Sequence, residues 1–220
     1  IQQIAKRIDV LNAEEYAKVK IEAYKNSGDD LANTAPTKDT LFKYIIANHY
    51  KGTNWQDAIL RQGAIKSYNL GINGGSDKYK YYLSGTYNRE DGIIRNSYSE
   101  KYFFRSNNQY EFSKRIKGDL NVAYSRDEHS SYDFNDYSSP LVLALLAVPI
   151  TPVYDPENVT DLNPEGYAYA NINARANPVA SINRMKNGIS ISNTFVSNAS
   201  VDIKLLEGLN FTSKDRKSVV

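Results

Sequence analysis

Apolar and polar residues alternate with a period of two along much of the chain after residue 64. In the clearest run, Tyr79, Tyr81 and Leu83 take alternate positions, and mostly polar side chains take the positions between them. A period of two is typical of a β-strand whose two faces meet different surroundings. Turns rich in Gly, Ser and Asp separate successive runs, so the pattern predicts about six antiparallel strands.

The regions around these strands have other patterns. Residues 12–25 hold helix formers, and Asn12 followed three residues later by Glu15 is a helix-start signal, so a short amphipathic helix is expected. Residues 26–40 are polar with Gly and Pro, which predicts a loop. Residues 141–150 form one apolar island in an otherwise polar stretch. The chain therefore divides into the start of a barrel region with a helix and a loop (1–62), a four-strand meander (63–126), a long external loop (127–188) and further barrel strands (189–220).

The alternation alone suits a membrane barrel, a soluble barrel or a β-sandwich. Aromatic residues near strand ends favour the membrane barrel, whose girdles require them: Tyr79, Tyr87, Tyr102 and Phe112. The apolar faces also lack Lys, Glu and Asp at mid-strand, and short turns contrast with one long loop. The expected fold is all-β: part of a transmembrane antiparallel β-barrel, with a short helix near the N-terminus.

Composition narrows the possible functions. Tyrosine supplies 18 residues, against 7 Phe and 1 Trp, a profile suited to surfaces that are apolar at one end and wet at the other. The 27 basic and 25 acidic residues are spread along the chain, so nucleic-acid binding is not indicated. A mean hydropathy of −0.56 excludes a helical membrane protein but not a barrel, whose strands average out as polar.

Residue types that could support catalysis lack suitable partners. His49 and His129 lie in polar, loop-like contexts without ligand spacing, so they are expected to be solvated. The acidic loop around Asp155 and Asp161 suggests calcium, but it lacks the Gly and Glu that a calcium loop requires. With no cysteine in the chain, thiolate metal sites are excluded. We expect no catalytic residues, no cofactor, no metal and no enzymatic activity.

Several segments, in order along nearly the whole chain, resemble SusC-like (starch-utilisation or RagA type) TonB-dependent transporters of Bacteroidota. They are residues 11–17 (LNAEEYA), 53–57 (TNWQD), 68–70 (YNL), 74–76 (GGS), 81–85 (YYLSG), 92–97 (GIIRNS), Arg105 with Asn107, 152–155 (PVYD) and 177–178 (NP).

The resemblance implies a plugged barrel of the 22-strand class in the bacterial outer membrane. Such a protein imports large nutrients, oligosaccharides or peptides, together with a SusD-like surface lipoprotein and with energy from TonB. The abrupt ends of the sequence indicate that the plug, the TonB box and most of the barrel lie outside it. Two rivals remain at this stage: a soluble carbohydrate-binding β-domain, and an outer-membrane scaffold or secretion component that does not transport.

Two groups of site residues follow from this interpretation. Lumen-facing side chains that could line the substrate path are Tyr82, Arg105, Asn107 and Gln109. Side chains of the apolar island that could contact the lipoprotein are Leu141, Leu143, Leu145 and Leu146. Ten residues are too few to span a bilayer as a helix, so the favoured interpretation of the island is a helical turn packed in the barrel mouth, and the lipoprotein contact is the alternative.

Overall fold

A computed structural model describes residues 2–130, 139–169, 176–185 and 188–220. Six strands form one antiparallel sheet in which neighbours in sequence are neighbours in space. This confirms the expected architecture. The strands are β1 Ile65–Gly75, β2 Tyr79–Asp91, β3 Tyr98–Ser113, β4 Ile116–Ser130, β5 Ser190–Leu206 and β6 Leu209–Val219. β4 continues past residue 126, where the meander was expected to end, and it includes His129, which was expected in a loop.

The two ends of the sheet differ in how the strands are connected. Residues 76–78, 114–115 and 207–208 make short turns at one end, called here the turn end. Gly208 has a φ of +83°, which a residue with a side chain rarely adopts, so a tight turn there needs glycine. The connections from β2 to β3 and from β4 to β5 lie at the opposite end, the loop end, where residues 2–63 also enter the sheet.

Strand register gives the sheet one apolar and one polar face. Residues directly opposite one another form a rung, and one rung of the apolar face is Leu70, Gly85, Phe104, Tyr124 and Phe195. Leu70 is 75% exposed and Phe104 is 47% exposed. Among the described residues, no second sheet covers this face.

β6 departs from this pattern. Its register places Asp215 opposite Ala199 and Lys217 opposite Ser197, on the same face as Phe211. The expectation of an apolar face without mid-strand charges is therefore wrong for β6. The alternation of apolar and polar residues predicted only the start of β6. The charged half of the strand could be assigned to a face only from its register with β5.

The described residues contain six α-helices: α1 Ala13–Asn26, α2 Leu31–Thr34, α3 Pro36–Ala47, α4 Trp55–Ile59, α5 Pro140–Leu146 and α6 Pro178–Met185. α1 confirms the predicted helix. The Glu15 amide donates to Asn12 Oδ1 at 3.1 Å, and the Asn12 amide donates to Glu15 Oε2 at 2.9 Å. These two bonds form a capping box, which satisfies amides that the first turn leaves free.

The loop predicted for residues 26–40 is wrong, because α2 and the start of α3 lie there. Asp30 Oδ1 accepts from the Ala32 amide at 3.1 Å and caps α2. Pro36 occupies the first position of α3, where its missing N–H costs nothing. The polar residues, Gly and Pro of this stretch predicted a loop, but Asp30 and Pro36 start helices here, and Leu31 and Phe42 become buried.

The helices form a separate region at the loop end, with two cores. The first core joins α1, α2 and α3 through Ala13, Ala17, Leu31, Phe42 and Ile45. The second joins α4, α5, α6 and the β2–β3 connection through Trp55, Ile59, Leu60, Ile94, Ala144 and Ile182. No described helix packs on the face of a strand.

Within the described ranges, no helix combines the length and apolar character needed to cross a bilayer.

Candidate functional site

The four predicted substrate-path residues lie together on the polar face. Tyr82 is directly opposite Asn107 in the β2–β3 pair, and Arg105 and Gln109 occupy the adjacent rungs. Among the described residues, the side chains of Arg105, Asn107 and Gln109 make no hydrogen bond or ion pair, although the Arg105 guanidinium lies 5.2 Å from the Phe103 ring centroid. These side chains are therefore open to whatever fills the space beside this face.

Gly71 makes room for Tyr82. A Cβ at Gly71 would lie 3.2 Å from the Tyr82 hydroxyl, so the ring leans over the glycine of the neighbouring strand. Tyr82 stays 40% exposed in this position. A ring held flat along the sheet can stack on a ligand while its hydroxyl forms hydrogen bonds.

The register also reveals a row of amides that the sequence did not disclose. Asn73, Tyr82, Asn107, Asn121 and Asn198 share one rung across five strands. Among the described residues, none of the four Asn side chains in this row has a hydrogen-bond partner. The only signal in the sequence was an Asn at a polar position of each strand, and without register that signal could not be assembled.

The apolar face carries two groups of aromatic rings. At the turn end, the ring centroids of Tyr79 and Tyr110 are 4.6 Å apart, and those of Tyr110 and Phe112 are 5.9 Å apart. Towards the loop end, the Tyr87 centroid lies 5.1 Å from that of Tyr102. Tyr79 and Tyr87 are eight residues apart in β2, about 27 Å along the strand and about 20 Å along the normal at a tilt of about 40°. This separation suits the apolar band of a membrane barrel.

Two polar residues, Ser106 and Asn108, interrupt the apolar face in β3, and both have hydrogen-bond partners on that face. Asn108 Oδ1 accepts from the Tyr79 hydroxyl at 2.8 Å, and Asn108 Nδ2 donates to Ser106 Oγ at 2.8 Å. These bonds allow two polar side chains to face an apolar medium, because each group already has a partner.

The apolar island is α5 with the residues after it, and α5 packs between α4 and α6. Leu143 is buried at 4% exposure and Leu141 packs against the second core, which agrees with the packed-helix interpretation for both. Leu145 is half-buried and Leu146 is 43% exposed. Of the four predicted contact residues, only Leu143 is fully buried, and Leu141 is half-buried like Leu145.

Leu145 and Leu146 line a groove of about 800 Å³. Val10 and Leu11 are among its other lining residues, together with the carboxylate-bearing Asp9. The Trp55 indole N–H donates to the Val148 carbonyl at 3.1 Å and fixes the chain after α5. The groove therefore places exposed aliphatic side chains beside polar groups.

Glu14 contacts three basic side chains of the helical region, Lys18, His49 and Lys51. Lys18 Nζ donates to Glu14 Oε1 at 2.7 Å, and His49 Nδ1 lies 3.3 Å from Oε2. The hydrogen bond from Lys18, more than the contact with His49, lowers the Glu14 pKa from 4.5 to about 2. Glu14 thus joins α1 to the residues that follow α3.

Side-chain oxygens of the acidic loop accept hydrogen bonds from nearby backbone amides. Asp155 Oδ1 accepts from the Glu157 amide at 3.0 Å, and Asn163 Oδ1 accepts from the Tyr167 amide at 3.1 Å. Within the described ranges, no group of three or more acidic or histidine side chains suits a metal ion. These residues order the loop instead.

The 152–155 and 177–178 motifs have a structural basis. Asn177 Nδ2 donates to the carbonyls of Val153 and Ala168, at 2.8 and 2.9 Å, and Asn177 Oδ1 accepts from the first amides of α6. Asn183 Nδ2 donates to the Tyr167 hydroxyl at 2.6 Å, and its Oδ1 accepts from Asn96 in the β2–β3 connection at 3.0 Å. This part of the long connection is therefore tied to the rest of the helical region.

No family model matches the chain. TonB-dependent receptor P3 of Formosa agariphila is 34% identical over 122 residues, which cover 56% of this chain and 10% of that protein. TonB-dependent receptor SusC of Bacteroides thetaiotaomicron is 28% identical over 217 residues, covering 90% of this chain and 19% of that protein. The chain thus spans about a tenth to a fifth of the length of these curated relatives.

Among solved structures, the RagAB peptide importer in its open-open state superposes with a TM-score of 0.57 at 17% identity. The match covers 75% of this chain and 18% of that chain. At this identity the likeness shows the fold alone. The six strands and their faces therefore define part of the wall of a transmembrane antiparallel β-barrel.

The sequence relatives narrow the class further. The chain is similar in sequence to segments of TonB-dependent receptors, SusC among them, which confirms the resemblance found in its motifs.

Proposed function

We propose that the chain forms part of the wall of an outer-membrane importer for nutrients too large for porins. The observation that carries this proposal is the exposed apolar face, bounded by aromatic rings and backed by an open polar face. A soluble carbohydrate-binding domain would have to bury side chains such as Leu70 and Phe104, which are 75% and 47% exposed. Curated relatives are named as TonB-dependent receptors, so the segment is proposed to have no enzymatic role.

The proposed substrate path follows the polar face. Tyr82, Arg105, Asn107 and Gln109 lie on three consecutive rungs, and the amide row extends the same hydrogen-bonding surface to β1, β4 and β5. Each Asn amide offers donors and acceptors. A row of them suits a neutral ligand rich in hydroxyl or amide groups, so both oligosaccharides and peptides remain within the proposal.

The proposed partner is a SusD-like surface lipoprotein at the loop end, with TonB acting on parts of the receptor outside this segment. The groove lined by Leu145 and Leu146 is the proposed contact, since it combines exposed aliphatic side chains with a fixed backbone. Leu143 is buried and is not part of this contact. On this proposal the long connection lies on the external side, as its length suggests.

Uptake by cells that carry the full-length receptor tests the proposal. Replacing Asn107 and Asn121 together by Leu is expected to lower uptake of labelled oligosaccharide or peptide mixtures, while the receptor stays in the outer-membrane fraction. The matched control is Ile72→Leu on the opposite face, which is expected to leave uptake unchanged. Uptake that survives deletion of the whole receptor, or a receptor absent from the outer-membrane fraction, would contradict the proposal.

A further inference from the structure

Gly85 is a glycine that the fold does not require. It lies inside β2 without a positive φ, and a Cβ added there would meet no atom within 4 Å. In contrast, an added Cβ would lie 3.2 Å from the Tyr82 hydroxyl at Gly71 and 2.7 Å from the Tyr81 hydroxyl at Gly74. Glycine weakens a strand interior and often marks a bulge, a bend, or the close approach of a ligand or another backbone. The register at Gly85 is regular with both neighbouring strands, so no bulge explains it.

Aromatic rings surround the gap that Gly85 leaves on the apolar face. The recess, called here the Gly85 notch, has a volume of about 400 Å³. Its side chains on this face are Tyr68, Leu70, Tyr87, Tyr102, Phe104 and Tyr124. Several are substantially exposed, for example Tyr68 at 64% and Tyr102 at 43%. The notch is therefore an open, apolar recess whose walls are rigid rings.

An unpaired cation lies above the notch, towards the loop end. Lys66 is directly opposite Arg89, so two like charges face each other. Arg89 Nε is 3.2 Å from Asp91 Oδ1, and its Nη1 is 3.1 Å from Glu100 Oε2, whereas Lys66 has no ion pair among the described residues. Arg89 therefore already has carboxylate partners, and an anion beside Lys66 would give this lysine a partner as well.

The order of these features matches the parts of a membrane lipid. Next to the rung of Leu70 and Gly85, on the side of the loop end, the rung of Tyr68, Tyr87 and Tyr102 forms one wall of the notch. The following rung on this face holds Lys66. Leu70 and Lys66 are separated by four residues, about 14 Å along the strand. Aromatic rings suit the membrane interface, and a lysine next to it attracts anionic headgroups.

We propose that the Gly85 notch binds one anionic lipid, with an acyl chain in the notch and the headgroup phosphate at Lys66. The inference rests on the proposed membrane setting of the apolar face. It adds a defined lipid site to a surface that would otherwise contact only exchanging lipids.

Photocrosslinking in lipid vesicles tests this site. The full-length receptor is reconstituted in phosphatidylcholine with increasing phosphatidylglycerol that carries a diazirine on its acyl chain, and labelled peptides are mapped by mass spectrometry. Saturable labelling is expected at β2 and β3 beside the notch. Gly85→Leu, which fills the notch, is expected to lower the apparent affinity about tenfold, as for the loss of roughly two methylene contacts.

Matched variants distinguish the acyl-chain contact in the notch from the headgroup contact at Lys66. Lys66→Gln is expected to lower the preference for phosphatidylglycerol over phosphatidylcholine about fivefold. The controls are Ala199→Leu and Lys217→Gln, on the same face away from the notch. They are expected to change neither the apparent affinity for the lipid nor the preference for phosphatidylglycerol. If Gly85→Leu does not fold, Gly85→Ala, whose Cβ meets open space, is expected to give a smaller loss in the same direction.

Two results would overturn the lipid site. One is labelling that rises linearly with probe and is equal in the wild type and Gly85→Leu. The other is protein-to-protein crosslinking at the notch in place of lipid. If Ile72 and Val122 are also unlabelled, the face does not meet lipid and the proposed function fails too. If they are labelled without saturation at the notch, only the lipid site fails.

Discussion

The helical region buries its apolar side chains in its own cores, whereas the sheet leaves many of its apolar side chains exposed. In the helical region, Phe42, Trp55 and Ile59 are at most 4% exposed, inside cores that the chain itself closes. In the sheet, Leu70 and Phe112 are 75% and 66% exposed. Apolar surface contributes to stability only when it is removed from water. The helical region is thus stabilised from within, and the sheet depends on the medium around it.

The sheet edges lead to the same conclusion. β1 and β6 each have one side without a partner strand among the described residues. Unpaired edge groups are costly in lipid, and an exposed apolar edge invites aggregation in water. Neither the sheet edges nor the apolar face is covered within the described ranges, whereas each helical core is closed by residues of those ranges.

Trp55→Ala is expected to have the largest effect. The substitution removes a buried ring and its hydrogen bond to the Val148 carbonyl, at a cost of about 3–5 kcal/mol in the free energy of local unfolding. Hydrogen exchange in the full-length receptor should show lost protection in α4 and α5 and unchanged protection in β2 and β3. Tyr44→Ala, at a 63% exposed position of α3, is the control and should change little. Equal losses in the sheet would show that the two regions are one unit.

Charges on the two faces of β1 should have unequal effects. Ile72→Arg puts a charge on the apolar face and is expected to cost about 2–4 kcal/mol of folding free energy in lipid. Asn73→Arg, the next residue on the polar face, should cost less than about 1 kcal/mol. Urea unfolding in lipid vesicles measures both. Equal costs would remove the distinction between the faces.

The capping box of α1 should have a smaller effect. Asn12→Ala removes the acceptor for the Glu15 amide and is expected to destabilise α1 by about 1 kcal/mol. Asn12→Ser keeps a capping oxygen and should restore most of that loss. Hydrogen exchange of the α1 amides is the measurement. No difference between the two variants would contradict the role of the cap.

Acid should loosen the first helical core. The folded-state pKa of Glu14 is lowered from 4.5 to about 2, so its contribution is present above pH 4.5 and is lost as the pH falls towards 2. Exchange of the α1 amides is expected to accelerate in that window. Glu14→Gln should weaken this pH dependence, and Glu22→Gln, at an exposed position of the same helix, should not. An unchanged pH profile in Glu14→Gln would contradict the assignment.

Sequence and structure agree best where the signal is local. The alternation of Tyr79, Tyr81 and Leu83 predicted a strand because each residue reports its own face. α3 and α4 were missed because their burial depends on distant residues, as the contact of Trp55 with Val148 shows. Pro36 and Asp30 could start a helix or make a turn, and only packing decided between them.

In the candidate site, too, features with a local sequence signal were predicted and features that depend on distant residues were not. Alternation placed Tyr82, Arg105, Asn107 and Gln109 on the polar face, where the structure has them. The amide row needed the register of five strands, which no single segment contains. Leu143 shows a partial success: a packed helical turn was expected for the island, but the sequence did not show which of its leucines are buried.

Accessibility along β2 tests the central claim most directly. Nitroxides attached one at a time at positions 80–87 of the full-length receptor in lipid vesicles report access to oxygen, which concentrates in lipid, and to an aqueous nickel reagent. We predict high oxygen access at positions 81, 83, 85 and 87, and low oxygen access at 80, 82, 84 and 86. High nickel access at Leu83, or no alternation along the strand, would contradict a sheet whose apolar face lies against the bilayer.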